Sequence, residues 1–94
     1  MRRRSDLLSK FELKQYNICK HYINACTCNQ KIVYAVDRFL DYARQRSPAV
    51  YTVAVEKYIG GASWRTIAIK TGRSEGALRK EFDRVLEGYN EFYG

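Results

Sequence analysis

The chain has 94 residues, 46% of them hydrophobic and 14% aromatic, with six glycines and one proline. That length and composition support one domain around one core and exclude a disordered chain. Seventeen Lys and Arg against ten Asp and Glu leave a net charge of +7, which points to a polyanionic partner.

Residues 1–5 read as a flexible basic arm. Arg2, Arg3 and Arg4 imitate the charged start of a signal peptide, but Leu7-Leu8 is followed at once by Ser9 and Lys10, so no export signal is expected. From Asp6 to Ala25, Leu8, Phe11, Ile18 and Tyr22 fall near one helical face, interrupted by Gln15. The break comes around Ala25–Asn29, where Thr27 or Asn29 serves as an N-cap. From Gln30 to Gln45 the apolar stripe is Ile32, Val36, Phe39, Leu40 and Ala43, spaced i, i+4, i+7, i+8, i+11. Ser47-Pro48 pairs a hydroxyl cap with proline at the first helical position, predicting a helix over 48–59 that buries Tyr51, Ala54, Val55, Tyr58 and Ile59. Gly60-Gly61 ends it. Ser63 then caps a short helix over 64–71 with Gly72 as its stop, and Ser74 caps a longer one over 75–92. Leu78, Phe82, Val85, Leu86, Tyr89 and Tyr93 line the buried side of the last helix. The fold class is all-α, with about five helices and no strand signal. Residues 6–46 supply two N-terminal helices for packing or dimerisation, and residues 47–94 form the unit that carries function.

The longest run without a charge is ten residues, His21 to Gln30, against the roughly 20 that a bilayer span needs, so no membrane partner is expected. Cys19, Cys26 and Cys28 are odd in number and sparse, which reads as reduced thiols in a cytoplasmic protein. Together with His21 they put four potential zinc ligands within ten residues. Cys19 and His21 are two apart, however, and point to different helical faces, and no C-x₂-C pair is present. No cofactor or metal is therefore assigned. With a single histidine, no phosphate-cradling glycine loop and no nucleophile paired with a base, the chain does not read as an enzyme. Its eight tyrosines fall mostly on or near core stripes, so packing accounts for most of them.

Two helices joined by a turn of about three residues with a glycine in it form the helix-turn-helix outline. Ala68 is small where the two helices approach, Gly72 follows four residues later, and Leu78 six residues after that faces back. Ile67 and Ile69 supply apolar bulk beside Ala68. An αα-hairpin with no nucleic-acid role is the plain alternative.

The stretch Tyr58 to Leu86 resembles region 4 of bacterial sigma-70-type factors and the phage and plasmid regulators built on that domain. The resemblance rests on Gly60-Gly61-Ala62-Ser63-Trp64-Arg65-Thr66-Ile67-Ala68, then Thr71-Gly72, then Ser74-Glu75-Gly76-Ala77-Leu78-Arg79-Lys80. It departs from the family's pattern at Arg73, where an aliphatic residue is usual, at Ala77, where a threonine is usual, and at Glu81, where the family is often basic or neutral. It implies a small phage or mobile-element transcription regulator rather than a complete sigma factor.

The physical reading of the residues agrees. Opposite the apolar stripe of the last helix lie Glu75, Gly76, Arg79, Lys80, Asp83 and Arg84. Arginine matches guanine O6/N7 and glutamate accepts from cytosine N4, so Arg79 and Glu75 are the candidate base readers. Gly76 permits close backbone approach, and Arg73, Lys80 and Arg84 suit phosphates. Ser63, Trp64, Arg65 and Thr66 open the preceding helix, whose N–H groups can meet a phosphate, as can those at Ser74. The plain alternative is that these are solvated surface charges. The expected partners are double-stranded DNA, RNA polymerase and a second copy of the chain. Two other readings are an interaction module that binds RNA polymerase without reading DNA, and a viral DNA-packaging recognition subunit.

Overall fold

The computed structural model describes residues 7–93, and the Arg2–Arg4 arm and the expected helix start at Asp6 lie outside them. Helix α1 spans Lys10–His21, α2 Thr27–Arg46, α3 Pro48–Thr52, α4 Trp64–Thr71 and α5 Glu75–Tyr93. The chain is all-α, with no strand among the described residues.

Helix α1 starts later than expected because Ser9 caps it. The Ser9 N–H donates to the Glu12 carboxylate at 3.1 Å, and the Ser9 hydroxyl bonds the same oxygen. Its buried face also differs from the expected one. Leu13, Tyr16 and Cys19 point inward, while Phe11, Ile18 and Tyr22 are 65%, 60% and 58% exposed. Tyr16 can sit inward because its hydroxyl donates to Asp37 Oδ1 at 2.7 Å.

Helix α2 begins at Thr27, three residues earlier than expected, and Cys26 takes the cap position. Asn29 lies inside the helix and donates from Nδ2 to the Tyr22 carbonyl at 2.8 Å, tying down the end of α1. The extended backbone at Cys26 brings its Cα to 5.4 Å from that of Cys28, and the two form a disulfide. This corrects the expectation of three reduced thiols, and only Cys19, buried in the core, is free. The inward face of α2 is Val33, Val36, Phe39 and Ala43, with Ile32 and Leu40 half-buried at its margins.

Ser47 ends α2 and starts α3. Its N–H donates to the Ala43 carbonyl at 2.7 Å, and its Oγ accepts from the Val50 N–H at 3.3 Å. The helix over 48–59 is α-helical only through Thr52, and Val53–Ile59 is π-helical. Ala49 and Val50 of α3 and Val53, Ala54 and Tyr58 of the wider turn enter the core, and Tyr51, Val55 and Ile59 are half-buried. Gly60 remains right-handed, where a Cβ would meet the Glu56 carbonyl oxygen at 2.9 Å, and Gly61 makes the left-handed turn at φ 83°.

All five helices feed one core. Phe39 and Phe82, both fully buried, meet edge to face at 5.9 Å between ring centroids, with Tyr89 5.5 Å from Phe39 and Tyr58 4.8 Å from Phe82. Asn90 of α5 clasps Leu8, accepting from its N–H and donating to its carbonyl, both at 2.8 Å. No helix among the described residues is long and apolar enough to cross a membrane.

Candidate nucleic-acid interface

Helices α4 and α5 are joined by Gly72, Arg73 and Ser74. Gly72 adopts φ 71°, and its N–H donates to the Ala68 carbonyl at 2.9 Å, closing α4. Ser63 Oγ accepts from the Thr66 N–H at 3.2 Å, and Ser74 Oγ accepts from the Ala77 N–H at 3.2 Å. Both serines thus cap their helices, and Thr66 Oγ1 lies 3.0 Å from Ser63 Oγ. The first backbone N–H groups of α4, those of Trp64 and Arg65, have no acceptor within the helix by position.

Ile67 and Leu78 are fully buried, and Ala68 is half-buried against the core. Ile69 departs from its expected place beside Ala68 and is 74% exposed, because its side of α4 turns away from α5. Leu78, Phe82, Leu86 and Tyr89 form the inward face of α5. Val85 is half-buried, and Tyr93 is exposed at the end of the stripe.

The outward face of α5 carries Glu75, Gly76, Arg79, Lys80, Asp83 and Arg84, all exposed. A Cβ built on Gly76 meets nothing within 4 Å, so the helix backbone there is open to close approach. Arg79 does not extend freely. Its guanidinium carbon lies 5.1 Å from the centre of the Trp64 ring, and Lys57 Nζ lies 5.2 Å from the same ring. Trp64 packs edge-on against Tyr58 at 6.1 Å. Arg73 is ion-paired with Glu81. Asp83 is held by Lys10 of α1 at 2.9 Å, and that bond raises the Lys10 pKa above its ordinary value. Burial raises the pKa of Tyr58.

The predicted residues therefore divide by what already holds them. Ser63 and Ser74 are committed to capping, and Arg73 to Glu81. Glu75, Arg79, Lys80 and Arg84 enter no ion pair among the described residues and share the exposed face with Gly76. Arg65 is exposed at the start of α4. Lys57 and Lys10 join this region without having been expected there, because each arrives from another helix and no local spacing reveals it. Of the four potential zinc ligands, Cys19 is buried and Cys26 and Cys28 are bonded to each other. No group of three or more His, Cys, Asp or Glu comes together among the described residues.

No protein-family model, curated protein or solved structure matches this chain.

Proposed function

We propose that this protein is a non-enzymatic, sequence-specific binder of double-stranded DNA, acting as a cytoplasmic transcription regulator of the phage or mobile-element kind. In this reading α4 and α5 are a helix-turn-helix, and the first turns of α5 enter the major groove. The observation that carries it is the division of α5 itself. Leu78 and Phe82 anchor it in the core, while Glu75, Gly76, Arg79, Lys80 and Arg84 stand exposed on the opposite side. Arg79 and Glu75 read base edges, Lys80 and Arg84 meet phosphates, and the free N–H groups of α4 take a further phosphate. The resemblance of Tyr58–Leu86 to sigma-70 region 4 supports a role at promoters and RNA polymerase as a further partner.

Salt titration of duplex binding tests this. Lys80→Gln and Arg84→Gln should each flatten the log–log salt dependence by about 0.9. Slopes equal to that of the unmodified chain would place both residues outside the interface.

Paired half-sites call for two copies of the reader. Phe11, Ile18 and Tyr22 stand exposed along one side of α1, which supports a homodimer through that helix. Sedimentation at micromolar protein should show a dimer that Ile18→Lys dissociates. An 11.0 kDa species with and without duplex DNA would contradict it.

A further inference from the structure

A second surface, at the opposite end of α5 from Glu75, carries chemistry that the major-groove reading does not use. On α2, Tyr34, Arg38, Tyr42 and Arg46 follow one another at four-residue steps and so form a single ridge in which aromatic and guanidinium groups alternate. The Arg38 guanidinium lies 5.3 Å from the Tyr34 ring and 4.4 Å from the Tyr93 ring of α5, and that of Arg46 lies 4.3 Å from the Tyr42 ring. Two adjoining clefts, of about 480 and 280 Å³, meet at Arg38 and Tyr93. Lys31 lines the larger one.

Tyr42 is half-buried against the core, whereas the other rings of this surface are exposed. Tyr34 is 63% exposed, and Phe92, beside Tyr93, is 70% exposed. Lys31, Arg38 and Arg46 enter no ion pair among the described residues. The two carboxylates lining the clefts are engaged elsewhere, Glu12 with Ser9 and Asp41 with Arg44. The surface therefore presents planar faces and uncompensated positive charge together.

We propose that this ridge binds single-stranded DNA, with bases stacked on the exposed tyrosine and guanidinium planes and phosphates on Lys31, Arg38 and Arg46. A duplex hides its base faces, whereas a single strand offers them. Successive groups on the ridge are about 6 Å apart along the helix, against about 3.4 Å per base in a stacked duplex strand, which suits an unstacked strand. A second copy of the chain fits poorly, because Lys31, Arg38 and Arg46 outnumber the one carboxylate here that no cation neutralises, Glu12, and pairing this face with itself would double that excess. Stacking and charge carry the recognition, and neither calls for a ribose 2′-hydroxyl.

The test is fluorescence anisotropy of labelled dT15 and of a labelled 20-base-pair duplex, using the full chain at low salt. Tyr34→Ala and Arg38→Gln should each weaken dT15 binding by about tenfold or more and change duplex binding less than about twofold. Arg38→Lys, which keeps the charge and loses the plane, should behave like Arg38→Gln. Both side chains are exposed, so unchanged circular dichroism is expected in every variant. The proposal is overturned if dT15 binds the variants as tightly as the unmodified chain, or if duplex binding falls in parallel. It is equally overturned if rU15 binds about tenfold tighter than dT15, or if a 15-residue polyglutamate competes as well as dT15. An unmodified chain that binds dT15 but not the duplex would contradict the major-groove reading and leave this one standing.

Discussion

Gly76 is where folding and the proposed DNA binding would make opposite demands on one residue. Its backbone is ordinary right-handed helix, and a Cβ there meets nothing, so nothing in the fold requires glycine. Alanine is the better helix former, and Gly76→Ala should leave stability unchanged or raise it by up to about 1 kcal/mol. If the helix backbone closes on the groove, the added methyl stands in the way and duplex affinity falls. A thermal melt with a duplex titration separates the two effects, and undiminished affinity would remove Gly76 from the interface. The capping residues Ser63, Ser74 and Gly72 were legible in the sequence because each acts within four residues of itself. The Trp64 stack was not. Lys57 and Arg79 reach that ring from two different helices, and only the packed chain brings them together. Glu81 stood out in the sequence only as a departure from the family's pattern, and its pairing with Arg73, in the turn before the helix, was not legible there.

Among the elements, α2 and α5 were readable because their apolar residues keep strict helical spacing and are buried much as that spacing predicts. Helix α1 was not. Phe11, Ile18 and Tyr22 outweigh Tyr16 and Cys19 in hydrophobicity, yet the latter pair is buried, since Asp37 of α2 satisfies the Tyr16 hydroxyl. The π-helical Val53–Ile59 was equally hidden, because its register is set by what Tyr58 packs against and by Gly60 beneath Glu56. Several ties between elements involve groups that titrate at alkaline pH. Burial raises the pKa of Tyr16, Tyr58 and Tyr89, and the bond to Asp83 raises that of Lys10. Each folded-state pKa lies above its unfolded value, so the stabilisation is complete below the unfolded values and is lost as pH rises through the folded ones. Melting temperature should stay level from about pH 7 to 9 and fall above about pH 10. A melting temperature constant through pH 11 would show that these ties contribute nothing to stability.

Across the whole chain, the N-terminal helices are part of what supports α5. Phe39 of α2 lies against Phe82 and Tyr89 of α5, and Leu8 is clasped by Asn90, so the face that α5 presents outward is set from behind by residues far away in sequence. The sequence showed two amphipathic helices there but not their docking, because periodicity defines a stripe and not its partner. The net charge of +7 draws the molecule to polyanions in general, and charge alone distinguishes no base pair. Sequence preference has to come from the few side chains on the outward face of α5, with Arg79 the strongest candidate. Selection of bound sequences from random duplex DNA, carried out in parallel with the unmodified chain and with Arg79→Ala, tests this most directly. Enrichment of one short defined site is expected, with Arg79→Ala losing preference at a single base pair and about 1–3 kcal/mol on the selected site. A selection that enriches no sequence over the starting pool would contradict it.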